Sequence, residues 1–348
     1  MRVKSLVVTV SAMTLVGATG TAALAWPGPA VIVAADGSGD FTTVQAAVDA
    51  IPAGNASPFT IKIRPGVYKG QVIVPAAKPF VVFRGQGEDP TEVVITDDRA
   101  NGTLKPDGTP WGTSGSASVT IDGHDFLARN LTFSNSFDEA AHPEITNRQA
   151  VAVLTRADRV VFDNVRFLGN QDTLYLNSSA ADTVARVYLR KCYIEGDVDF
   201  VFGRATAVLD RCRVHSLDRG SATNNGYVTA ASTSIANPFG MLFTECTFTG
   251  TAPDGTVYLG RPWHPSNDPN AIAQVVIRDS KLGAHIKPQT PWTDFGAFSW
   301  RDARYFEYRN RGAGAVASPD RPQLTDAQAA ELTPQVYLAG ADQWDPIR

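Results

Sequence analysis

The sequence predicts an all-β fold, a right-handed parallel β-helix, and three observations carry that prediction. One strand pattern recurs along the chain: "LARNLTF" (127–133), "VFDNVRF" (161–167), "YLRKCYI" (188–194), "VLDRCRV" (208–214), "LFTECTF" (242–248) and "VIRDSKL" (276–282). Each copy reads as two apolar residues, two polar ones, an apolar or small residue, a polar one and an apolar one, a short strand with inward and outward positions alternating. The fifth positions, Leu131, Val165, Cys192, Cys212, Cys246 and Ser280, are separated by 34, 27, 20, 34 and 34 residues. A constant strand with variable spacing is what a solenoid gives when loops of different length leave one side. Finally, no long amphipathic helices lie between the copies, which excludes leucine-rich and helical repeats. A sandwich or propeller does not stack one sequence position over itself in this way.

From the N-terminus, Arg2 and Lys4 precede an apolar stretch from Val7 to Val16, then small residues ending in Ala23-Leu24-Ala25. This is the layout of a secretory signal peptide over 1–25, cleaved after Ala25, and it predicts an extracellular protein. "TLVGATGTAALA" is too weakly apolar, and too interrupted by Gly and Thr, for a membrane anchor. Residues 26–348 are expected to form one domain. "FTTVQAAVDAIP" (41–52) places Val44, Ala47, Val48 and Ile51 on one helical face, with Thr42 and Gln45 at capping-box spacing. It is expected to cover the first rung, whose apolar interior would otherwise meet water. The Pro-rich tail 313–348 holds "LTDAQAAEL" (324–332), a second short helix with Thr325 and Gln328 spaced as a capping box, and is expected to pack back on the body.

Loss of Arg2 and Lys4 with the leader leaves 29 basic against 35 acidic residues, so no basic field points to nucleic acid. No CxxC or HExxH spacing occurs and the five histidines are scattered, so neither metal nor cofactor is expected. The absence of GxSxG removes support for a nucleophile-elbow serine hydrolase. Cys192, Cys212 and Cys246 fall in one column of successive rungs. Rung spacing lies inside the Cα separation a disulfide tolerates. The same spacing also permits Cys212–Cys246; the shorter loop favours a Cys192–Cys212 bridge with Cys246 left as a buried thiol.

"CYIEGDVDFVFG" (192–203) carries Glu195, Asp197 and Asp199 inside an apolar strand-like stretch. A turn accounts for the first two; Asp199 needs another reason. Laid under the preceding repeat, "VRFLGNQDTLY" (165–175) aligns with "CYIEGDVDFVF" without a gap, and Asp172 falls on Asp199. Successive rungs lie about 4.8 Å apart, so the two carboxylates should stack at roughly that spacing. Like charges so placed repel, and one holds a proton while the other ionises, which supplies an acid beside a nucleophile or base. Asp138, seven residues beyond Leu131, has the same offset but lies in a long loop.

At these residues the chain resembles the pectin methylesterase family. The resemblance rests on "GNQDTLY", "EGDVDFVFG", "NRQAVAV" (147–153) and "YLGRPW" (258–263), and extends through "DGSGDFTTVQAAVDAIP", "GVYKG" (66–70), "GYVTAAS" (226–232) and "YFEYRNRGAGA" (305–315). It thus covers nearly all of the chain beyond the leader, with one departure, Gly70, where the family usually has Glu. The resemblance implies that Asp199 is the nucleophile on a galacturonate methyl ester and that Asp172 is the general acid, then base. It further implies that Gln149 and Gln171 donate to the oxyanion, that Arg261 holds Asp199 ionised, and that Trp263 stacks on a sugar ring. Phe202, Tyr175, Val198 and Trp292 are further candidates for lining the groove. The implied partner is methyl-esterified pectin, and a monomer is expected. Two rivals stay open here: a glycosidase or lyase on the same scaffold, since carboxylates about 5 Å apart also suit a retaining glycosidase, and a β-helix that only binds polysaccharide.

Overall fold

The computed structural model describes residues 28–347, so the expected leader lies outside the described residues. Two parallel sheets wind around one axis: a large one of 16 strands and a small one of seven. The ladders between strands are parallel throughout, as successive solenoid turns require. Parallel crossovers are right-handed, so the expected right-handed β-helix is the observed architecture. The interior is filled by stacked apolar side chains, among them Phe83, Phe126, Phe133, Phe162 and Phe167, whose rings meet at centroid distances of 5.0–6.3 Å.

The repeat is more than the single strand its alternation suggests. Its fourth residue, Asn130, Asn164, Lys191, Arg211, Glu245 or Asp279, has φ between 51° and 56° and turns a corner. From Lys191 onward that corner separates two named strands, as in Arg186–Arg190 and Tyr193–Gly196. Left-handed backbone costs an ordinary residue about 1–2 kcal/mol. At the two asparagine corners the side chains help, Asn164 donating to Asn130 at 2.9 Å and Asn130 to the Gly87 carbonyl at 2.7 Å.

The cysteine column follows immediately on these corners and is correctly placed, but the disulfide is not formed. All three cysteines are buried free thiols. Side chains stacked on parallel rungs point the same way, with Cβ atoms about a rung apart, wider than the ~3.8 Å typical of a disulfide. Each sulfur instead faces carbonyl oxygens, Cys192 those of Phe162 and Arg190 (3.5 Å each), Cys212 those of Leu189 and Asp210, and Cys246 those of Leu209 and Thr244. Burial pushes the Cys212 and Cys246 thiols well up, which keeps them unreactive.

Both ends are covered. The first helix is Val44–Asp49, and Val44, Ala47, Val48 and Ile51 join the core. It starts one residue later than the sequence suggests: Thr43 is the cap, accepting from Ala46 N–H at 3.2 Å. That moves Gln45 out of capping-box register, and its amide reaches Ile73 and Asp49 instead. Near Gly70 the backbone has φ 112°, a conformation open to glycine and strained for the family's Glu. At the other end, Thr325 and Gln328 form the capping box of Asp326–Ala330. A further helix, Pro334–Ala339, follows with Thr333 as its cap. Leu324, Ala329, Tyr337 and Leu338 cover an outward apolar column of the large sheet, Tyr188, Val208, Leu242 and Val276. Arg186 fastens the tail by pairing with Asp342 as well as Asp158.

Candidate active site

The small sheet runs Val257–Gly260, Gly226–Ala231, Val198–Gly203, Leu174–Leu176, Val153–Thr155, Val119–Ile121 and Val72–Val74. Its outer face carries the aligned aspartates. Leu174 pairs with Val201 and Tyr175 with Phe202, which sets Asp172 opposite Asp199, and the Asp172 amide donates to the Val198 carbonyl at 3.0 Å. Asp199 sits in a bulge: between Val198↔Tyr227 and Val201↔Thr229, Asp199 and Phe200 oppose Val228 alone. Both aspartates have left-handed backbone, φ 69° at Asp172 and 52° at Asp199. A bulge re-aims the side chain it carries, and Asp tolerates left-handed φ better than most residues. The neighbouring rung can approach only because residue 226 is glycine, since a Cβ there would lie 1.9 Å from the Asp197 carbonyl oxygen.

The two carboxylates differ in their surroundings. Both are nearly dry, Asp172 being 7% and Asp199 6% exposed. Arg261, just past Val257–Gly260, clasps Asp199 with two parallel bonds, Nε to Oδ1 at 2.9 Å and Nη2 to Oδ2 at 2.6 Å. Burial pushes Asp199 up and Arg261 opposes the push. Burial pushes Asp172 well up, the Asp199 charge adds to it, and Arg261 opposes only from a distance. Asp199 is therefore the member that ionises first, and Asp172 the one that keeps a proton.

Three aromatic residues that the sequence reading missed complete this arrangement. Tyr227 and Phe295 sandwich the Arg261 guanidinium at 3.8 and 4.3 Å. Phe295 arrives on a tight hairpin closed by its two backbone bonds with Phe298; "FGAF" with a central glycine was its only sequence signal. Burial pushes the Tyr305 phenol well up, and the charge of Asp199 adds to the push.

Gln149 and Gln171 lie on adjacent rungs, the Ala150 amide donating to the Gln171 carbonyl at 3.1 Å. Gln149 Oε1 is buried without a partner among the described residues. Beside the aspartates Tyr175 stacks on Phe202 at 4.1 Å, and Trp263 leans on both at 6.0 and 5.7 Å. Val198 is buried at the edge of this surface. Trp292 does not line it. With 2% exposure it belongs to the interior and stacks on Tyr305 at 4.4 Å, because its bridge to Gly260 turns the ring inward. Asp138 is in the loop above, accepting from the amides of Ala140 and Ala141.

A profile of the family described as Pectinesterase matches residues 30–340. The chain belongs to the pectinesterase family. Pectinesterase 31 of Arabidopsis thaliana is 38% identical over 320 residues, covering 88% of this chain and 92% of its own. Pectinesterase A of Dickeya chrysanthemi is 36% identical over 341 residues, 88% of each. A crystal structure of a pectin methylesterase in complex with a hexasaccharide superposes with a TM-score of 0.82 at 34% identity, over 94% of this chain and all of that one. As a pectinesterase the protein is a carboxylic ester hydrolase, which sets aside the glycosidase, lyase and binding-only readings.

Proposed function

We propose that this pectinesterase removes methyl groups from galacturonate esters of pectin through a covalent acyl-enzyme on Asp199. The observation that carries the reading is the asymmetry of the stacked pair, one carboxylate clasped by Arg261 and the other left to burial and its neighbour's charge. An Asp199 oxygen attacks the ester carbonyl carbon, and the oxyanion takes amide hydrogens from Gln149 and Gln171. Such donors suit the role because they do not titrate, and each contributes on the order of 3 kcal/mol of transition-state stabilisation. On collapse the carbonyl–methoxy bond breaks and Asp172 gives its proton to the departing methoxy oxygen, which leaves as methanol, and an anhydride with Asp199 remains. Asp172, now a carboxylate, draws a proton from water as the water oxygen attacks the former ester carbonyl. Asp199 departs as carboxylate, Asp172 is protonated again, and the balance is ester plus water to acid plus methanol.

Trp263, backed by Tyr175 and Phe202, offers the apolar face on which a sugar ring stacks. The leader read over 1–25 and the wall-polymer substrate support secretion as a single catalytic domain. The test is incubation with highly methylated pectin. Methanol release with falling pH, unaffected by chelator, is expected; chain cleavage or absorbance of unsaturated ends without methanol would overturn the reading.

A further inference from the structure

Asp197 stands two residues before Asp199, and the steps above leave it unused. It is 5% exposed. One carboxylate oxygen accepts from the Val198 amide at 2.5 Å, and the other lies 3.4 Å from Nε of Arg219. The backbone fixes it against the general acid: the Asp197 amide donates to the Asn170 carbonyl at 3.3 Å, and the Asp172 amide to the Val198 carbonyl at 3.0 Å. Residues 197–198 are thus laddered directly onto 170–172. Asp197 lines an open pocket of about 450 Å³ together with Asp138, Glu139, Arg148, Asn170, Asp218 and Arg219.

The charges of this pocket do not cancel at Asp197. Arg148 is drawn to Glu139 at 3.8 Å, while Asp138 and Asp218 are occupied with backbone amides of their own turns. Arg219 is the cation that faces Asp197, and its side chain is 44% exposed, so water screens much of its effect.

We propose that Asp197 is a positioning residue for the general acid: its charge, held beside Asp172 by the ladder, keeps the proton on Asp172 through the pH range in which methanol must be expelled. The inference rests on the roles given to Asp172 and Asp199 above. Burial pushes Asp197 up to about 6, with Arg219 and the Val198 amide opposing. Asp197 is therefore charged above about pH 6 and neutral below it, and its push on Asp172 comes after burial, the Asp199 charge and the opposing Arg261, a small influence with the same sign as the first two. Its help is thus present at neutral and alkaline pH, where the acid would otherwise lose its proton, and absent in acid. The three carboxylates titrate as a set.

The experiment is the pH profile of kcat/KM for methanol release from methylated oligogalacturonate by wild type and Asp197→Asn, which retains the acceptor for the Val198 amide. The upper limb should move to lower pH, giving up to a few-fold loss near pH 8 and almost none near pH 5. On an ester of a more acidic alcohol, which leaves without much protonation, the difference should vanish. Asp197→Ser, with circular dichroism on both variants, carries the same test should the amide destabilise the fold. An upper limb that stays in place, or an equal loss at every pH, would overturn the inference. Wild type that releases no methanol at all would overturn the esterase reading instead, so the two failures are distinct.

Discussion

Two carboxylate-bearing ladders run along the same solenoid and obey opposite rules. On the large sheet one stretch of the outward column, Arg129, Asp163, Arg190 and Asp210, alternates in sign by register. Asp163 receives guanidinium bonds at 2.8 Å from both neighbouring rungs. On the small sheet Asp172 and Asp199 put like charges on neighbouring rungs, in left-handed backbone and beside a bulge. The rung geometry is common to both. The first ladder uses it to satisfy charge, and the second uses it to hold two acids at different protonation, a tension tolerated because it does chemistry.

The sharpest way to break that contrast is to neutralise each acid of the site. Asp199→Asn should lower kcat by about 10⁴-fold or more, because an amide cannot attack the ester and no other group is placed to do so. Asp172→Asn should lower it by roughly 10²–10⁴-fold, with partial recovery on an ester of a more acidic alcohol. Recovery in Asp199→Asn instead would exchange the two roles. Stability should move the other way. Asp172 has a folded pKa raised above its unfolded one, so the native state holds the proton more tightly. Wild type therefore loses stability as pH rises from the usual carboxylate range toward neutrality. The Asn variant lacks that loss. Its Tm should match wild type near pH 4 and exceed it by a few °C near pH 7; a lower Tm at neutral pH would mean that the pair is not under tension.

A smaller effect tests the groove. Trp263→Ala removes the half-buried member of the stack with Tyr175 and Phe202, and should raise KM for pectin roughly tenfold, with kcat little changed. Because the contact is apolar, the change should be similar at low and high salt. An unchanged KM would remove Trp263 from the substrate surface.

What could be read in advance follows from what repeats. Asp172 over Asp199 was legible because a gapless alignment of two rungs is also their register. The corner at the fourth residue was not, because Asn, Lys, Arg, Glu and Asp share no composition signal; only the backbone, left-handed at every one, unites them. Tyr227 and Phe295 escaped because they meet Arg261 from a neighbouring strand and from a loop hairpin, and the column pattern says nothing of where a loop folds back. The disulfide was misjudged because Cα spacing alone ignores that stacked side chains run parallel. Trp292 was misassigned because the stretch "TPWTDF" carries no sign of which way its rung faces.

The smallest expected effect belongs to the other ladder. Asp163→Asn keeps the shape of the column but removes its negative charge, leaving the guanidiniums of Arg129 and Arg190 facing one another through a neutral amide. Asp163 is largely buried, whereas the Arg129 and Arg190 side chains are 42% and 32% exposed, so solvent screens both the lost attraction and the new repulsion. The cost should be about 1 kcal/mol, a fall in Tm of roughly 2 °C. It should shrink at high salt, since opposed surface charges are screened. Turnover should be unchanged, because the column lies on the large sheet and shares no hydrogen bond with Asp172, Asp199 or Arg261. The same chemical change, Asp to Asn, is thus expected to lower Tm on one ladder and raise it on the other. If thermal melts at pH 7 moved in the same direction for Asp163→Asn and Asp172→Asn, the division between a charge-satisfying ladder and a strained catalytic one would fail.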